Sequence, residues 1–146
     1  MMKRTYVMLA ATLAASGALA APPLPALRAD GSAVTVSGIS SGGYMAGQFQ
    51  VAYSKLVRGV GILAAGPYDC ADGSVIRALT ACMAPNRWMP PPKPGDIKPR
   101  IESRARLDLI DPPSALADDK VWVLTGSADH TVERPVVERH PASPAA

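Results

Sequence analysis

The sequence predicts an α/β fold that opens with a strand, a tight turn, a helix and a second strand. Residues 33–37, AVTVS, are rich in β-branched side chains and run into a glycine-rich turn at 38–43. Residues 44–57 have the apolar spacing of a helix, and residues 57–66, VRGVGILAAG, are apolar enough for a strand covered on both faces. This order within about thirty residues is typical of a βαβ unit with a parallel sheet.

The helix that follows the turn has a predicted buried face. Met45, Phe49 and Ala52 fall at positions i, i+4 and i+7, which share one side of a helix. We therefore expect these three side chains to pack against the sheet.

The rest of the chain predicts fewer regular elements. A short helix is expected over 74–80, whereas the prolines between 85 and 99 exclude regular structure there. Residues 101–110 can form a helix, and residues 120–126, KVWVLTG, form a third strand followed by a polar turn. The face of the 101–110 helix expected to be buried carries Ile101, Ala105 and Leu109.

The first twenty residues read as a signal peptide. Lys3 and Arg4 precede a short apolar run, and Ala18-Leu19-Ala20 is a small-x-small site with cleavage expected after Ala20. The alternative, a membrane anchor, is disfavoured because the run is too short to span a bilayer. We expect a secreted or periplasmic protein that does not associate with the membrane after cleavage.

The charge balance excludes one class of partner. Removal of Lys3 and Arg4 lowers the 15 basic residues to 13, against 12 acidic ones. The basic isoelectric point is therefore largely a property of the signal, and nucleic-acid binding has no support. The remaining 126 residues suffice for one modest core.

The chain has two cysteines, Cys70 and Cys82. Export to an oxidising compartment favours a disulfide between them. Such a bridge stabilises the fold by about 3 kcal/mol in the loop-entropy model. A metal site is the alternative, but two thiols without a nearby histidine are a poor ligand set, so no metal is expected.

The most informative motif is Gly38-Ile39-Ser40-Ser41-Gly42, in which only Ser40 satisfies the pattern G-x-S-x-G. A nucleophile elbow needs a strand, a sharp turn that strains the serine backbone, and a helix that follows at once. The helix start would also place the Ser41 N–H as one oxyanion donor. The alternative is a glycine-rich turn without chemistry; a nucleotide loop is disfavoured because no Gly-Lys-Ser/Thr follows.

Asp129 is the second candidate catalytic residue. It lies on the turn just beyond the third strand, where such folds hold the carboxylate that orients a histidine. The alternative is a turn-forming aspartate, which is common in loops. Position alone does not decide between the two.

Two segments resemble the catalytic domain of exported poly(3-hydroxybutyrate) depolymerases. They are residues 38–71, GISSGGYMAGQFQVAYSKLVRGVGILAAGPYDCA, with the likeness continuing through Cys82, and residues 116–137, LADDKVWVLTGSADHTVERPVV. The resemblance implies a cofactor-free serine hydrolase that cleaves ester bonds of the polymer or of hydroxybutyrate oligomers. Ser40 matches the nucleophile, Asp129 the triad acid, and Ser41 the position after the nucleophile.

The resemblance also implies a circularly permuted α/β-hydrolase with the nucleophile strand first, in a three-layer, mostly parallel arrangement. The early position of Ser40 agrees with this order. We expect residues 21–137 to be part of such a catalytic domain and residues 138–146 to be an aberrant Pro/Ala-rich tail.

The triad lacks a convincing histidine. His130 adjoins Asp129 and would point away from it, and His140 follows too soon for a further helix and strand to fit between. We therefore expect a C-terminally truncated, inactive chain.

Two other functions remain open. One is a different exported carboxylesterase that acts on a carbohydrate or aryl ester. The other is a non-catalytic polymer-binding module that uses Trp88 with Met83 and Met89, unless Trp88 simply covers the core.

Overall fold

The computed structural model describes residues 21–141, so the signal peptide predicted over 1–20 lies outside the described residues. One parallel sheet has the order β1-β2-β3, with β1 at Val34–Ile39, β2 at Val57–Leu63 and β3 at Lys120–Leu124. The helices are α1 at Ser41–Ala52, α2 at Val75–Leu79, α3 at Pro94–Arg106 and α4 at Arg134–Val137, with a 3-10 turn at Pro113–Leu116. The three predicted strands and the predicted short helix are confirmed.

The register brings the carboxyl ends of all three strands to one edge. Ile39 pairs with Leu63, and Leu63 pairs with Leu124. The ladder extends one residue further, because the Ser40 N–H donates to the Leu63 carbonyl and the Ala64 N–H to the Leu124 carbonyl, both at 2.9 Å. The loops after the three strands therefore start side by side, and this edge is where open α/β sheets bind ligands.

The predicted buried face of α1 is wrong. Met45 is 66% exposed, and Phe49 and Ala52 are only half-buried. The buried positions are instead Gly43, Ala46, Gly47, Gln50 and Val51. Small residues occupy the first half of this face because the start of the helix lies almost in contact with the sheet backbone: a Cβ on Gly43 would come within 2.8 Å of the Leu63 carbonyl oxygen.

The sheet has one covered face and one open face among the described residues. On the covered face, Ala46 of α1 packs with Val60 and Ile62, and Val36, Val121 and Val123 join this cluster. On the opposite face Ile39, Trp122 and Leu124 are exposed. The expectation that β2 is covered on both faces is thus met on the α1 side only.

Helix α3 begins seven residues before its predicted start, so the expectation that prolines exclude regular structure up to residue 99 is wrong. Pro94 opens the helix, where its fixed φ suits the first turn and its missing N–H is not needed. The Asp96 carboxylate accepts the Lys93 N–H at 3.0 Å. Pro99 is tolerated since the carbonyl that it leaves without a partner belongs to the exposed Gly95.

The buried side of α3 also differs from the prediction. Ile97 is its buried residue, whereas Leu109 lies beyond the helix end and is exposed. Ile101 and Ala105 are half-buried. The difference lies in the extent of the face: Ile97, Ile101 and Ala105 are four residues apart and share one side of the helix. The earlier start therefore adds Ile97 to this side, and the earlier end removes Leu109 from it.

The predicted disulfide is confirmed. Cys70 and Cys82 are joined with their Cα atoms 5.8 Å apart. The intervening segment contains α2, whose first turn is capped by Ser74, the side chain of which accepts the Arg77 N–H at 3.3 Å. The disulfide closes residues 70–82 into a loop, called the disulfide loop below. This loop lies beside the edge of the sheet at which the strands have their carboxyl ends.

The chain after β3 packs against the same edge. Val132, Val136 and Val137 form a buried cluster with Ala64, Met83 and Val123. Helix α4 covers Arg134–Val137, with Pro135 in its first turn. The domain boundary placed at residue 137 stays a prediction.

Candidate active site

Ser40 occupies a strained turn between β1 and α1. Its φ is 54° and its ψ is −122°, a conformation that costs a non-glycine residue about 1–3 kcal/mol. Two hydrogen bonds hold the turn: the Ser40 N–H donates to Leu63, and its carbonyl accepts the Tyr44 N–H at 3.0 Å. The strained backbone that a nucleophile elbow requires is therefore present at Ser40.

Glycines permit the close approach of strand and helix at this turn, but they are not equivalent. A Cβ on Gly38 would lie 2.3 Å from the Gly42 carbonyl carbon, and one on Gly43 would lie 2.8 Å from the Leu63 oxygen. A Cβ on Gly42 would meet nothing within 4 Å. The steric requirement thus falls on Gly38 and Gly43; sequence reasoning missed Gly43 because it lies outside the five-residue motif.

Ser41 is the first residue of α1 and lines the same cavity as Ser40. The first N–H groups of a helix have no acceptor within the helix, and the aligned peptide dipoles favour negative charge there. The Ser41 N–H can therefore be donated to an oxygen that develops charge beside Ser40.

A cavity of about 510 Å³ lies in front of Ser40. Its lining is largely apolar and includes Met45, Ala71, Ala78, Met83, Val132 and the Cys70–Cys82 disulfide. The exposure of Met45 is thereby explained, since this side chain is part of the cavity wall. Such a site suits an uncharged, ester-linked chain better than a highly charged ligand.

Tyr44 connects helix α1 to the disulfide loop. Its hydroxyl donates to the Cys82 carbonyl. Burial raises the pKa of Tyr44 to about 12, so the phenol stays protonated and remains a donor throughout the neutral range. Tyr44 also lines the cavity, and its hydrogen bond fixes the wall relative to Ser40.

An ionic network around Asp69, which also lines the cavity, links the cavity wall to helix α3. The Asp69 carboxylate, whose side chain is only 11% exposed, lies 2.9 Å from Arg100 and 3.1 Å from Arg104. Arg104 also donates to the Tyr68 hydroxyl at 3.0 Å. Sequence reasoning missed this network because its partners are about thirty residues apart and no local pattern links them.

Asp129 lies on the turn after β3, as predicted, and holds that turn together. Its Oδ1 accepts the backbone N–H groups of Thr131 at 2.8 Å and Val132 at 3.0 Å. The Thr131 N–H, followed by that of Val132, lowers the pKa of this carboxyl group, so it is ionised at neutral pH. Asp129 itself does not line the Ser40 cavity, although Val132 does.

Neither histidine lines the Ser40 cavity in the described part of the chain. His130 is exposed on the Asp129 turn. His140 is 8% exposed, and burial lowers its pKa to about 4. A buried, neutral imidazole away from the serine is not placed to accept its proton.

Comparison with known proteins gives a consistent result. None of the protein-family models matches the chain. The chain is 39% identical over 120 residues to a poly(3-hydroxybutyrate) depolymerase of Delftia acidovorans, covering 82% of this chain and 24% of that protein. It is 40% identical over 126 residues to a polyhydroxybutyrate depolymerase of Talaromyces funiculosus, covering 84% of this chain and 34% of that protein.

Solved structures agree. The crystal structure of the depolymerase from Penicillium funiculosum matches with a TM-score of 0.66 and 34% identity, over 81% of this chain and 35% of that one. A serine-to-alanine variant of such a depolymerase, complexed with an R3HB trimer, matches equally well. The chain spans about a quarter to a third of the relatives that it matches, and it is similar to that part of poly(3-hydroxybutyrate) depolymerases in both sequence and fold.

Proposed function

We propose that this chain is the nucleophile-bearing part of an exported serine esterase that hydrolyses ester bonds of poly(3-hydroxybutyrate) or its oligomers. The observation that carries the proposal is the strained Ser40 turn, which opens on an apolar cavity at the start of α1. A strained residue held against its preference by surrounding structure is characteristic of functional sites.

Each candidate residue has a role in the proposed reaction. The Ser40 Oγ attacks the ester carbonyl carbon while its proton passes to a base, and the Ser41 N–H stabilises the resulting oxyanion. The alcohol leaves with a proton from the base, and water then releases the acid from the acyl-serine. Asp129 would orient the base: its Oδ1 is used by the turn, and no described residue bonds Oδ2.

The base is the missing part. In the described residues no histidine adjoins Ser40, and a serine hydroxyl without a base is a weak nucleophile. We therefore expect the chain as written to be inactive and to need the remaining part of the family fold.

The substrate class follows from the cavity and from one relative. The cavity is apolar and large enough for a short oligoester. A structural neighbour binds an R3HB trimer. Hydroxybutyrate oligomers are thus the substrates we propose, in place of carbohydrate or aryl esters.

Export is the proposed localisation. Cys70 and Cys82 form a disulfide, which persists in oxidising compartments. Within residues 21–141, no helix has the length and apolar character needed to cross a membrane.

A second candidate function is polymer binding without catalysis. Trp88 is 77% exposed, so it does not cover the core of the described region. Adsorption of the chain to polymer granules without any Ser40-dependent hydrolysis, even after the chain is extended, would favour this alternative.

The test compares the 146-residue chain with one extended by the C-terminal part of a family member, using a p-nitrophenyl butyrate and hydroxybutyrate oligomer assay. The chain alone should show no Ser40-dependent turnover, and the extended chain should be active. Ser40→Ala should lower that activity by about a millionfold, whereas Ser37→Ala, on the open sheet face, should leave it unchanged. Turnover by the unextended chain that is lost in both Ser40→Ala and His140→Ala would instead identify His140 as the base.

A further inference from the structure

A second groove lies next to the Ser40 cavity. It has a volume of about 380 Å³, and Asp72 lines both concavities, so the two adjoin at this residue. The groove is otherwise lined by Arg77, Trp88, Met89, Pro90, Pro91, Pro92, Lys93, Asp96 and Arg100. Apart from Asp72 and from Arg100, which pairs with Asp69, its lining residues play no part in the Ser40 site described above.

The walls of the groove are fixed by local structure. The Asn86 Oδ1 accepts the N–H groups of Trp88 at 2.9 Å and Met89 at 3.0 Å, which sets the turn that carries the indole. The following prolines have restricted backbones, and Pro91 and Pro92 are buried. The groove is therefore largely formed before any ligand enters it.

The groove is lined by one more basic side chain than acidic ones, with Arg77, Lys93 and Arg100 against Asp72 and Asp96. Asp72 lies 3.4 Å from Arg100, and Asp96 accepts the backbone N–H of Lys93. Arg77 makes no ion pair with any described residue. At the mouth, the Arg87 guanidinium lies 4.4 Å from the centre of the Trp88 ring.

Arg77 has an unmet hydrogen bond. Its Nε is buried and has no acceptor among the described residues. A buried donor without a partner is destabilising, and more so when it is charged. Arg77 lines the groove, and its planar guanidinium matches the two oxygens of a carboxylate at the part of the side chain that faces the groove.

We propose that this groove binds the free carboxylate of a hydroxyalkanoate oligomer through Arg77, while the ester-linked part of the oligomer lies in the Ser40 cavity. The indole of Trp88 and the proline wall would cover the methyl and methylene groups of the terminal unit. The assignment rests on the proposed function for the ester-binding cavity. It implies that the site prefers chains with a free acid end over the interior of a polymer.

The experiment is a calorimetric titration of the Ser40→Ala chain, which excludes turnover. The ligands are the hydroxybutyrate trimer and its methyl ester, which differ only at the carboxyl end, where the ester carries a methyl group in place of the charge. The acid should bind at least about tenfold more tightly, as expected for a charge-assisted hydrogen bond. Arg77→Gln should abolish that preference and leave the affinity for the methyl ester unchanged.

Arg106→Gln is the matched control, because Arg106 is exposed at the end of α3 and lines neither concavity. It should keep the full preference for the acid. Equal affinities for acid and ester, or a preference that survives Arg77→Gln, would overturn the groove assignment while ester binding still supports the proposed function.

A second measurement separates the two proposals if the trimer does not bind. The ¹⁵N resonance of the Arg77 Nε–H should shift on addition of monomeric 3-hydroxybutyrate, which can occupy the groove alone. A shift without any trimer binding would support the groove and count against the proposed ester site. An unchanged resonance would overturn the groove.

Discussion

The Ser40 and Asp129 turns follow neighbouring ends of the same sheet edge, yet they are stabilised in different ways. The Ser40 turn has a left-handed φ of 54° and is held by backbone contacts from β2 and α1. The Asp129 turn is held mainly by its own carboxylate, which accepts two N–H groups within three residues. Packing imposes the first conformation, whereas local side-chain chemistry produces the second.

The difference has a consequence for function. A turn that depends on the sheet cannot form before the sheet does, so its strain is maintained by the whole β1–α1–β2 unit. A turn closed by its own aspartate can form early and independently. The Ser40 turn is therefore expected to be more sensitive to core substitutions than the Asp129 turn.

The largest expected effect comes from the glycine that allows the Ser40 turn to close. Gly38→Ala would place a methyl group 2.3 Å from backbone atoms of Gly42, and backbone cannot move aside as a side chain can. We expect a loss of more than about 3 kcal/mol in the free energy of unfolding, measured by urea denaturation.

Gly42→Ala is the matched control, since its added methyl group meets nothing. It should be neutral or stabilising by about 0.5–1 kcal/mol through helix propensity. Equal destabilisation by the two variants would contradict the view that close approach at residue 38 governs this turn.

The next largest effect is expected at His140, which follows the Asp129 turn in the chain. Burial lowers the pKa of His140 to about 4, below the ordinary value for histidine. Between these values the unfolded chain binds more protons than the folded one, so stability is present near neutral pH and is lost as pH falls through the folded pKa. The loss between pH 7 and pH 4 should reach up to about 3 kcal/mol.

Urea unfolding of the wild-type chain and of His140→Gln at several pH values checks this. The variant remains neutral, so its stability should fall less between pH 6.5 and pH 4, while carboxyl groups contribute equally to both proteins. Parallel stability curves would show that His140 does not titrate as its burial requires.

A smaller effect is expected from the backbone strain at Ser40. Ser40→Gly and Ser40→Ala both remove the hydroxyl, but only glycine adopts the observed φ without cost. We expect the glycine variant to be more stable than the alanine variant by about 1 kcal/mol, by thermal or urea unfolding. If alanine is the more stable, the turn is not strained.

The smallest effect is expected at the acid turn. Asp129→Asn keeps an oxygen that accepts the Thr131 and Val132 N–H groups, so its melting temperature should stay close to that of the wild type. Asp129→Ala removes the acceptor and should lower it measurably, though far less than Gly38→Ala. A drop for Asn as large as that for Ala would mean that the charge, rather than the hydrogen bonds, holds the turn.

Features that depend on neighbouring residues could be predicted from the sequence alone. The strand, turn and helix around Ser40 could be predicted because β-branched runs, glycines and helical spacing act over a few residues. Cys70 and Cys82 could be paired since the chain has no other cysteine. The likeness of residues 38–71 to depolymerases likewise lay in contiguous residues.

Which side chains and elements contact one another could be learned only from the folded structure. Met45 looked like a core residue by its spacing, but it lines the cavity because the close approach of α1 leaves room only for small residues such as Gly43 and Ala46. The partners of Asp69 lie about thirty residues away on α3. Such contacts depend on how separate elements are placed in space. The spacing of residues along the chain does not show that placement.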